Sequence, residues 1–156
     1  MKLIALLTIA AFVIPCHAAA QSNAQVFSGA DVASQMADLV IAAKASGTSG
    51  ATLGDYKSHA IKLSVRTGSG GAEVHAHYDD IFFVTKGKAT LITGGTVVNA
   101  KTDNDGETRG SGIQNGKSQT IVQGDIVHIP AGTPHQLTIA GGDMFGGVVV
   151  KVHEGP

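Results

Sequence analysis

Two histidines near the middle of the chain stand where they could hold a metal ion together. His75 and His77 are separated by one residue in the stretch EVHAH, which reads as a short strand. Because residues two apart on a strand point to the same face, we expect the two imidazoles to converge. The pair is weak evidence by itself, since a polar strand face has the same pattern, and a metal would need further ligands from elsewhere.

A third histidine follows a tight corner later in the chain. The stretch GDIVHIPAGTPHQLTI, residues 124–139, contains a turn, a short strand, the corner PAGTP and then His135. His135 opens a strand whose Leu137 and Ile139 share its phase. It therefore begins on the apolar side of that strand, whereas a lone histidine after a corner is usually on the surface.

The rest of the chain must supply the elements that position these residues. Its 156 residues are 43% hydrophobic and 15% charged, which indicates one globular domain with a sizeable core. The pattern predicts one helix from Ser28, its N-cap, to Lys44, with Gly47 ending it. Short strands separated by glycine turns follow, and their number predicts an all-β protein, either a closed barrel or a two-sheet jelly roll. The predicted strands are HAIKLSVRT, EVHAH, DIFFVT, KATLIT, TVVN, QTIV, DIVHIP, HQLTIA and FGGVVVKV.

The N-terminus has the pattern of a secretory signal peptide. Lys2 precedes an apolar run over residues 3–14, and three alanines at 18–20 form a small-residue cleavage site. We therefore expect residues 1–20 to be removed and the protein to be periplasmic or secreted; a retained membrane anchor is the alternative. Cys16 is the sole cysteine and would leave with the signal peptide, so a metal in the mature chain must use nitrogen and oxygen ligands. The predicted divisions are a helical extension over 21–56 and a barrel over 57–153.

The charge distribution bears on possible partners. The formal net charge is −1, and no lysine-rich or arginine-rich run occurs. This argues against nucleic acid, and against an anionic membrane surface after cleavage. A small molecule bound inside the barrel remains the expected partner.

The two histidine stretches together resemble the paired motifs of the cupin superfamily. The second motif has the family's spacing. Gly124 is followed after five residues by Pro130, after one more residue by Gly132, and after two more by His135. In the first motif the His-x-His pair and Gly87 fit. The resemblance covers roughly residues 61–152 and implies a jelly-roll β-barrel, in agreement with the predicted strands.

The carboxylate of the first motif departs from the family's pattern. Asp80 stands where most cupins have glutamate, and it follows His77 after two residues instead of three or four. Asp79 is the alternative if the turn shifts by one residue. Ile139 occupies a position where the family often has asparagine. The resemblance therefore supports the histidines as metal ligands more strongly than it supports the aspartate.

The resemblance implies one divalent metal ion held inside the barrel. Its ligands would be His75, His77, Asp80 and His135, and iron, manganese, zinc, nickel and copper all suit such donors. The resemblance favours a metal-dependent enzyme of oxygenase, isomerase or lyase type acting on a small organic substrate, with no organic cofactor. The alternative is a periplasmic protein that binds a metal or small ligand without turnover. A homodimer is also implied.

Further residues are candidates without an assigned role. Tyr78, at the rim of the expected site, and His128, on the strand before the PAGTP corner, are possible catalytic groups. His128 faces either the cavity or the outer surface. The polar segment 99–118 either covers the barrel mouth or is a solvated insertion. Glu107 and Arg109 are candidates for ligand capture only in the first case.

Overall fold

The computed structural model describes residues 23–155 and confirms the predicted all-β jelly roll with one N-terminal helix. The predicted signal peptide, residues 1–20, lies outside the described residues. Helix α1 spans Gly29–Ser46. The described residues form twelve strands: β1 Thr48–Asp55, β2 His59–Arg66, β3 Ala72–His75, β4 Tyr78–Thr93, β5 Thr96–Val98, β6 Lys101–Thr102, β7 Glu107–Gly110, β8 Gly112–Gln114, β9 Lys117–Val122, β10 Ile126–Ile129, β11 His135–Thr138 and β12 Phe145–His153.

Strand β4 belongs to both sheets of the barrel. Its first half pairs with β12 and β10, and β12 continues through β2 to β1. Its second half pairs with β9 and β11, and β11 continues through β3 and β7 to β6. The sequence predicted two strands here, split at Lys86–Gly87, and that was wrong. Gly87 takes a φ of 70° while the strand continues, so the glycine bends β4 between the sheets without ending it.

The core lies between the two sheets. Eight buried residues form one cluster: Phe82, Val84, Ala89, Leu91, Ile121, Ile129, Leu137 and Phe145. The rings of Phe82 and Phe145 lie 6.2 Å apart. Alternate residues of β4 therefore point into the barrel, and this phase continues to Asp80, which is also buried.

Helix α1 confirms the predicted helix and its ends. Ser28 caps it, since its hydroxyl accepts from the backbone N–H of Asp31 at 3.1 Å. Gly47, with a φ of 83°, ends it by donating to the carbonyl of Ala43. The helix packs outside the barrel against β1 and β2. Strand β1 lies within the stretch 21–56 that we predicted as a helical extension, so that stretch also supplies a strand. No helix among the described residues is long and apolar enough to cross a membrane.

The polar segment 99–118 is folded onto the barrel. Its strand β7 pairs with β3 so that Glu107 stands opposite His75 and Arg109 opposite Glu73. The segment therefore extends the sheet that carries the first histidine. It brings two charged side chains to the place where a metal was predicted.

Candidate metal centre

His75 is held in a fixed orientation at the end of β3. Its side chain is buried, and Nδ1 lies 2.6 Å from Oε2 of Glu107. Because one ring nitrogen is engaged by this carboxylate, the other, Nε2, is turned towards the centre of the site. The pairing of β7 with β3 is therefore what orients the first imidazole.

His135 is oriented in the same way by the backbone. It opens β11 after the PAGTP corner, and its Nδ1 lies 3.0 Å from the carbonyl oxygen of Thr133. Since a carbonyl oxygen only accepts, Nδ1 carries the proton and Nε2 has a free lone pair. Burial lowers the pKa of His135 below its ordinary value, so the ring is neutral near pH 7.

Two carboxylates face these two nitrogens. Oδ2 of Asp80 lies 3.3 Å from Nε2 of His75 and 3.7 Å from Nε2 of His135. Oε2 of Glu73 lies 3.9 Å from Nε2 of His75. One ligand atom each from Glu73, His75 and His135 lie within 4.8 Å of one another. Two imidazoles and two carboxylates thus surround one small space.

Each carboxylate also has a cationic partner on its far side. Nζ of Lys151, on β12, lies 2.8 Å from Oδ1 of Asp80. Nη1 of Arg109 lies 2.6 Å from Oε1 of Glu73. These contacts leave the second oxygen of each carboxylate facing the imidazoles. The orientation of both acids is therefore fixed by side chains outside the centre.

The electrostatics of the site couple His75 to Asp80. Burial alone would lower the pKa of His75, but its hydrogen bonds with Asp80 and Glu107 outweigh burial and raise that pKa above its ordinary value. Burial alone would raise the pKa of Asp80, but His75 and the ammonium of Lys151 outweigh it and hold that pKa below its usual range. Asp80 is therefore a carboxylate near neutral pH.

His77 lies outside this group, and the expectation that it shares a strand face with His75 was wrong. Strand β3 ends at His75, and Ala76 and His77 form the bend into β4. The alternation of a strand does not continue through that bend. His77 is exposed, and its ring is stacked at 6.4 Å from the ring of His153.

The structure also places the two aspartates and the two catalytic candidates. Asp79 faces outwards, where it accepts from the backbone N–H of Ala131 and pairs with Nε2 of His128, each at 2.8 Å. His128 is thus exposed on the outer surface. Tyr78 lines the cavity, with its ring edge against His153. Of the predicted site residues, His75, Asp80 and His135 are therefore brought together.

Sequence reasoning missed two residues of the site and left a third open. Glu73 stands two residues before His75 in the same strand phase, so the periodicity that predicted His77 could have identified it. Lys151 interrupts the apolar run VVVKV at a position of inward phase, which is the available signal for a buried cation. Glu107 carried no signal, since only the pairing of β7 with β3 brings it to His75.

The donor set fits a divalent metal ion. Nitrogen and carboxylate oxygen ligands suit iron, manganese, zinc, nickel or copper. Both imidazoles already have the outer partner that metal-binding histidines usually have, a carboxylate for His75 and a carbonyl for His135. The group borders a cavity of about 990 Å³. A metal here would thus have room beside it for water or a small molecule.

Comparison with known proteins gives similarity in structure alone. No protein-family model matches the chain, and no curated protein matches it. The polyketide cyclase RemF from Streptomyces resistomycificus matches with a TM-score of 0.50 and 16% identity, over 68% of this chain and 65% of that chain. The match therefore spans less than two thirds of the cyclase.

Two further solved structures also match this chain. A conserved protein with a double-stranded β-helix domain from Klebsiella pneumoniae matches with a TM-score of 0.50 and 18% identity, over 68% of this chain and 76% of that chain. A Cupin 2 conserved barrel domain protein from Salinispora arenicola has a TM-score of 0.47 and 16% identity, over 67% and 75%. This chain therefore shares its fold with proteins of the double-stranded β-helix type.

Proposed function

We propose that this protein is a metal-dependent enzyme acting on a small organic substrate inside the barrel. The observation that carries the proposal is the pair of buried imidazoles, His75 and His135, turned by Glu107 and the Thr133 carbonyl towards the same carboxylate, Asp80. One neighbour of similar fold is a polyketide cyclase, an enzyme with an organic substrate, which supports the proposal at the level of the fold. Fold likeness does not select the reaction, and oxygenase, isomerase and lyase chemistry all suit such a site.

The proposed ligands are His75 and His135, with Asp80 and Glu73 supplying oxygens. A bound metal would supply Lewis acidity or a site for dioxygen beside the cavity. The protein's own residues then have separable tasks. Glu107 fixes the first imidazole, and Lys151 holds Asp80.

Export is part of the proposal. It rests on the N-terminal pattern of Lys2, the apolar run at 3–14 and the alanines at 18–20. The intact mass of protein recovered from the periplasm or medium tests it. A mature chain that begins after residue 18 or 20 supports export, and a chain that retains Met1 contradicts it.

A binding protein without turnover is the second candidate, and one observation favours it. Both carboxylates already have a cationic partner, Lys151 for Asp80 and Arg109 for Glu73. Because these cations already balance the carboxylate charges, the barrel could hold a ligand without a metal. The two candidates differ in metal content and in turnover.

Metal reconstitution followed by an activity screen tests the proposal. Untagged mature protein is loaded separately with iron, manganese, zinc, nickel and copper, and each form is screened for oxygen uptake and for depletion of small organic acids, phenols and sugars. We expect one metal per chain and turnover with at least one form. His135→Ala should abolish both, whereas His128→Ala is the matched control because its ring is exposed on the outer surface. A wild type that binds none of the five metals would contradict the proposal and leave the binding protein.

A further inference from the structure

One wall of the cavity carries cations in addition to the metal-centre residues. On strand β2 the side chains of Lys62, Ser64 and Arg66 alternate onto one face, and all three line the cavity. Lys151 of β12 has the same inward phase, since it pairs with Ala60 of β2. Basic side chains therefore follow the cavity wall away from the proposed metal.

Arg66 has no partner among residues 23–155. Its Nε–H is closed off from solvent and donates to no carbonyl or carboxylate there, and its guanidinium makes no ion pair. A buried N–H without an acceptor destabilises the folded protein, and more so when the group is charged. The two Nη groups are not closed off in this way and make no hydrogen bond with the described residues, so they are the atoms of Arg66 that a ligand in the cavity can reach.

A neighbouring glycine, Gly70, leaves space for the guanidinium of Arg66. A Cβ on Gly70 would collide with Nη1 of Arg66 and lie 3.1 Å from its Cζ, so the guanidinium occupies the space that any other residue at position 70 would fill. The same glycine is fixed by two bonds, from its N–H to the carbonyl of Leu137 and from Nε2 of Gln136 to its own carbonyl. The guanidinium therefore rests on a rigid turn.

The carboxylates at the metal centre do not neutralise the cations of this wall. Asp80 is paired with Lys151, and Glu73 with Arg109. Lys62, like Arg66, makes no ion pair with any of the described residues. Two cations of the cavity wall are thus available to a bound anion.

The remaining lining indicates an organic body attached to that anion. Phe82, Val149, Leu137 and Phe145 line the same cavity as Arg66. We propose that the cavity takes a small carboxylate with an apolar body, whose acid group is bound by Arg66. This inference rests on the proposed function, because it names the substrate class of the same site. Arginine suits it, since its planar fork matches a carboxylate.

The test uses phenylacetate as the carboxylate probe, phenylacetamide as its neutral counterpart and inorganic phosphate as a second anion. Binding is followed by the NMR signal of the Arg66 Nε–H group and by calorimetry, with wild type loaded with zinc. We expect phenylacetate to shift the Arg66 signal and phenylacetamide to bind about tenfold or more weakly. Tighter binding of phosphate than of phenylacetate would overturn the carboxylate assignment.

Three variants separate charge from folding. Arg66→Gln removes the charge, Gly70→Ala displaces the guanidinium while keeping it, and Lys117→Gln is the control, a lysine on β9 away from the cavity. The first two should weaken phenylacetate binding about tenfold or more, at unchanged zinc content, and the control should not. Arg66→Gln binding phenylacetate as tightly as wild type would overturn the inference.

The outcomes for the proposed function and for this inference are distinct. If the protein binds zinc but its binding of phenylacetate does not depend on Arg66, the inferred carboxylate site is refuted and the proposed function is not. Arg66-dependent binding of phenylacetate by a protein that takes up no metal supports the carboxylate site and refutes the metal-dependent enzyme. Should Arg66→Gln fail to fold, Gly70→Ala and Arg66→Lys carry the comparison, and Arg66→Lys should retain more binding than Gln at the same position.

Discussion

Replacing Glu107 should weaken metal binding although Glu107 is not itself a proposed ligand. Its Oε2 lies 2.6 Å from Nδ1 of His75, and no other acceptor contacts that nitrogen among the described residues. Without it the ring can rotate, and Nε2 no longer faces His135 and Asp80 at a fixed angle. The carboxylate also makes the imidazole a more basic donor.

The expected size of the effect follows from this geometry. Loss of an outer carboxylate partner typically reduces metal affinity about 10- to 100-fold, or roughly 1.4–2.7 kcal/mol. We expect the Glu107→Ala variant towards the upper end, because the side chain is largely buried and the contact is short. Glu107→Gln should fall near the lower end, since its amide oxygen can still accept from Nδ1.

Competition with a chelator of known affinity measures the effect. Zinc is titrated into wild type, Glu107→Ala, Glu107→Gln and Glu154→Gln, where Glu154 is an exposed glutamate at the end of β12 that serves as the control. The expected order of affinity is wild type equal to the control, then Gln at 107, then Ala at 107. If Glu107→Ala binds zinc as tightly as wild type while His75→Ala loses it, the positioning role of Glu107 is refuted.

Three further predictions concern pH and stability. Zinc affinity should fall as pH decreases through the raised pKa of His75, because the metal competes with the proton on that ring; affinity unchanged down to pH 6 would contradict this. Phe145→Ala should lower the free energy of unfolding, measured by urea titration, by about 3–5 kcal/mol, because its ring is fully buried against Phe82. A loss under about 1 kcal/mol would contradict this and show that neighbouring side chains fill the space left by the ring. Ser28→Ala should cost about 1 kcal/mol through loss of the helix cap, and thermal melting of Ser28→Asp, which can still cap, should match wild type.

The sequence predicted those features that depend on local patterns. The helix ends follow from Ser28 and Gly47, whose cap geometries need only neighbouring residues. The all-β class follows from short alternating strands and glycine turns, and the jelly roll was implied by the resemblance of the two histidine motifs to those of cupins. The inward direction of His135 follows from the phase it shares with Leu137, and both are buried.

Prediction failed where the backbone departs from a regular strand or where distant strands meet. His77 follows the point at which β3 ends, so period-two alternation gave the wrong direction for its ring. Gly87 looked like a turn because glycine suits both a turn and a bend within a long strand. Glu107 meets His75 through strand pairing across 32 residues, and no single-sequence pattern encodes that register.

Anomalous diffraction from crystals of the zinc-loaded protein tests the central proposal most directly, because it locates the metal independently of activity. We predict one strong peak per chain between Nε2 of His75 and Nε2 of His135, about 2.0–2.1 Å from each nitrogen, with oxygen from Asp80 or Glu73 completing the site. The same map decides whether His77 rotates in as a ligand. A peak at the surface beside His77 and His153, or no peak inside the barrel at full zinc loading, would contradict the proposed metal centre.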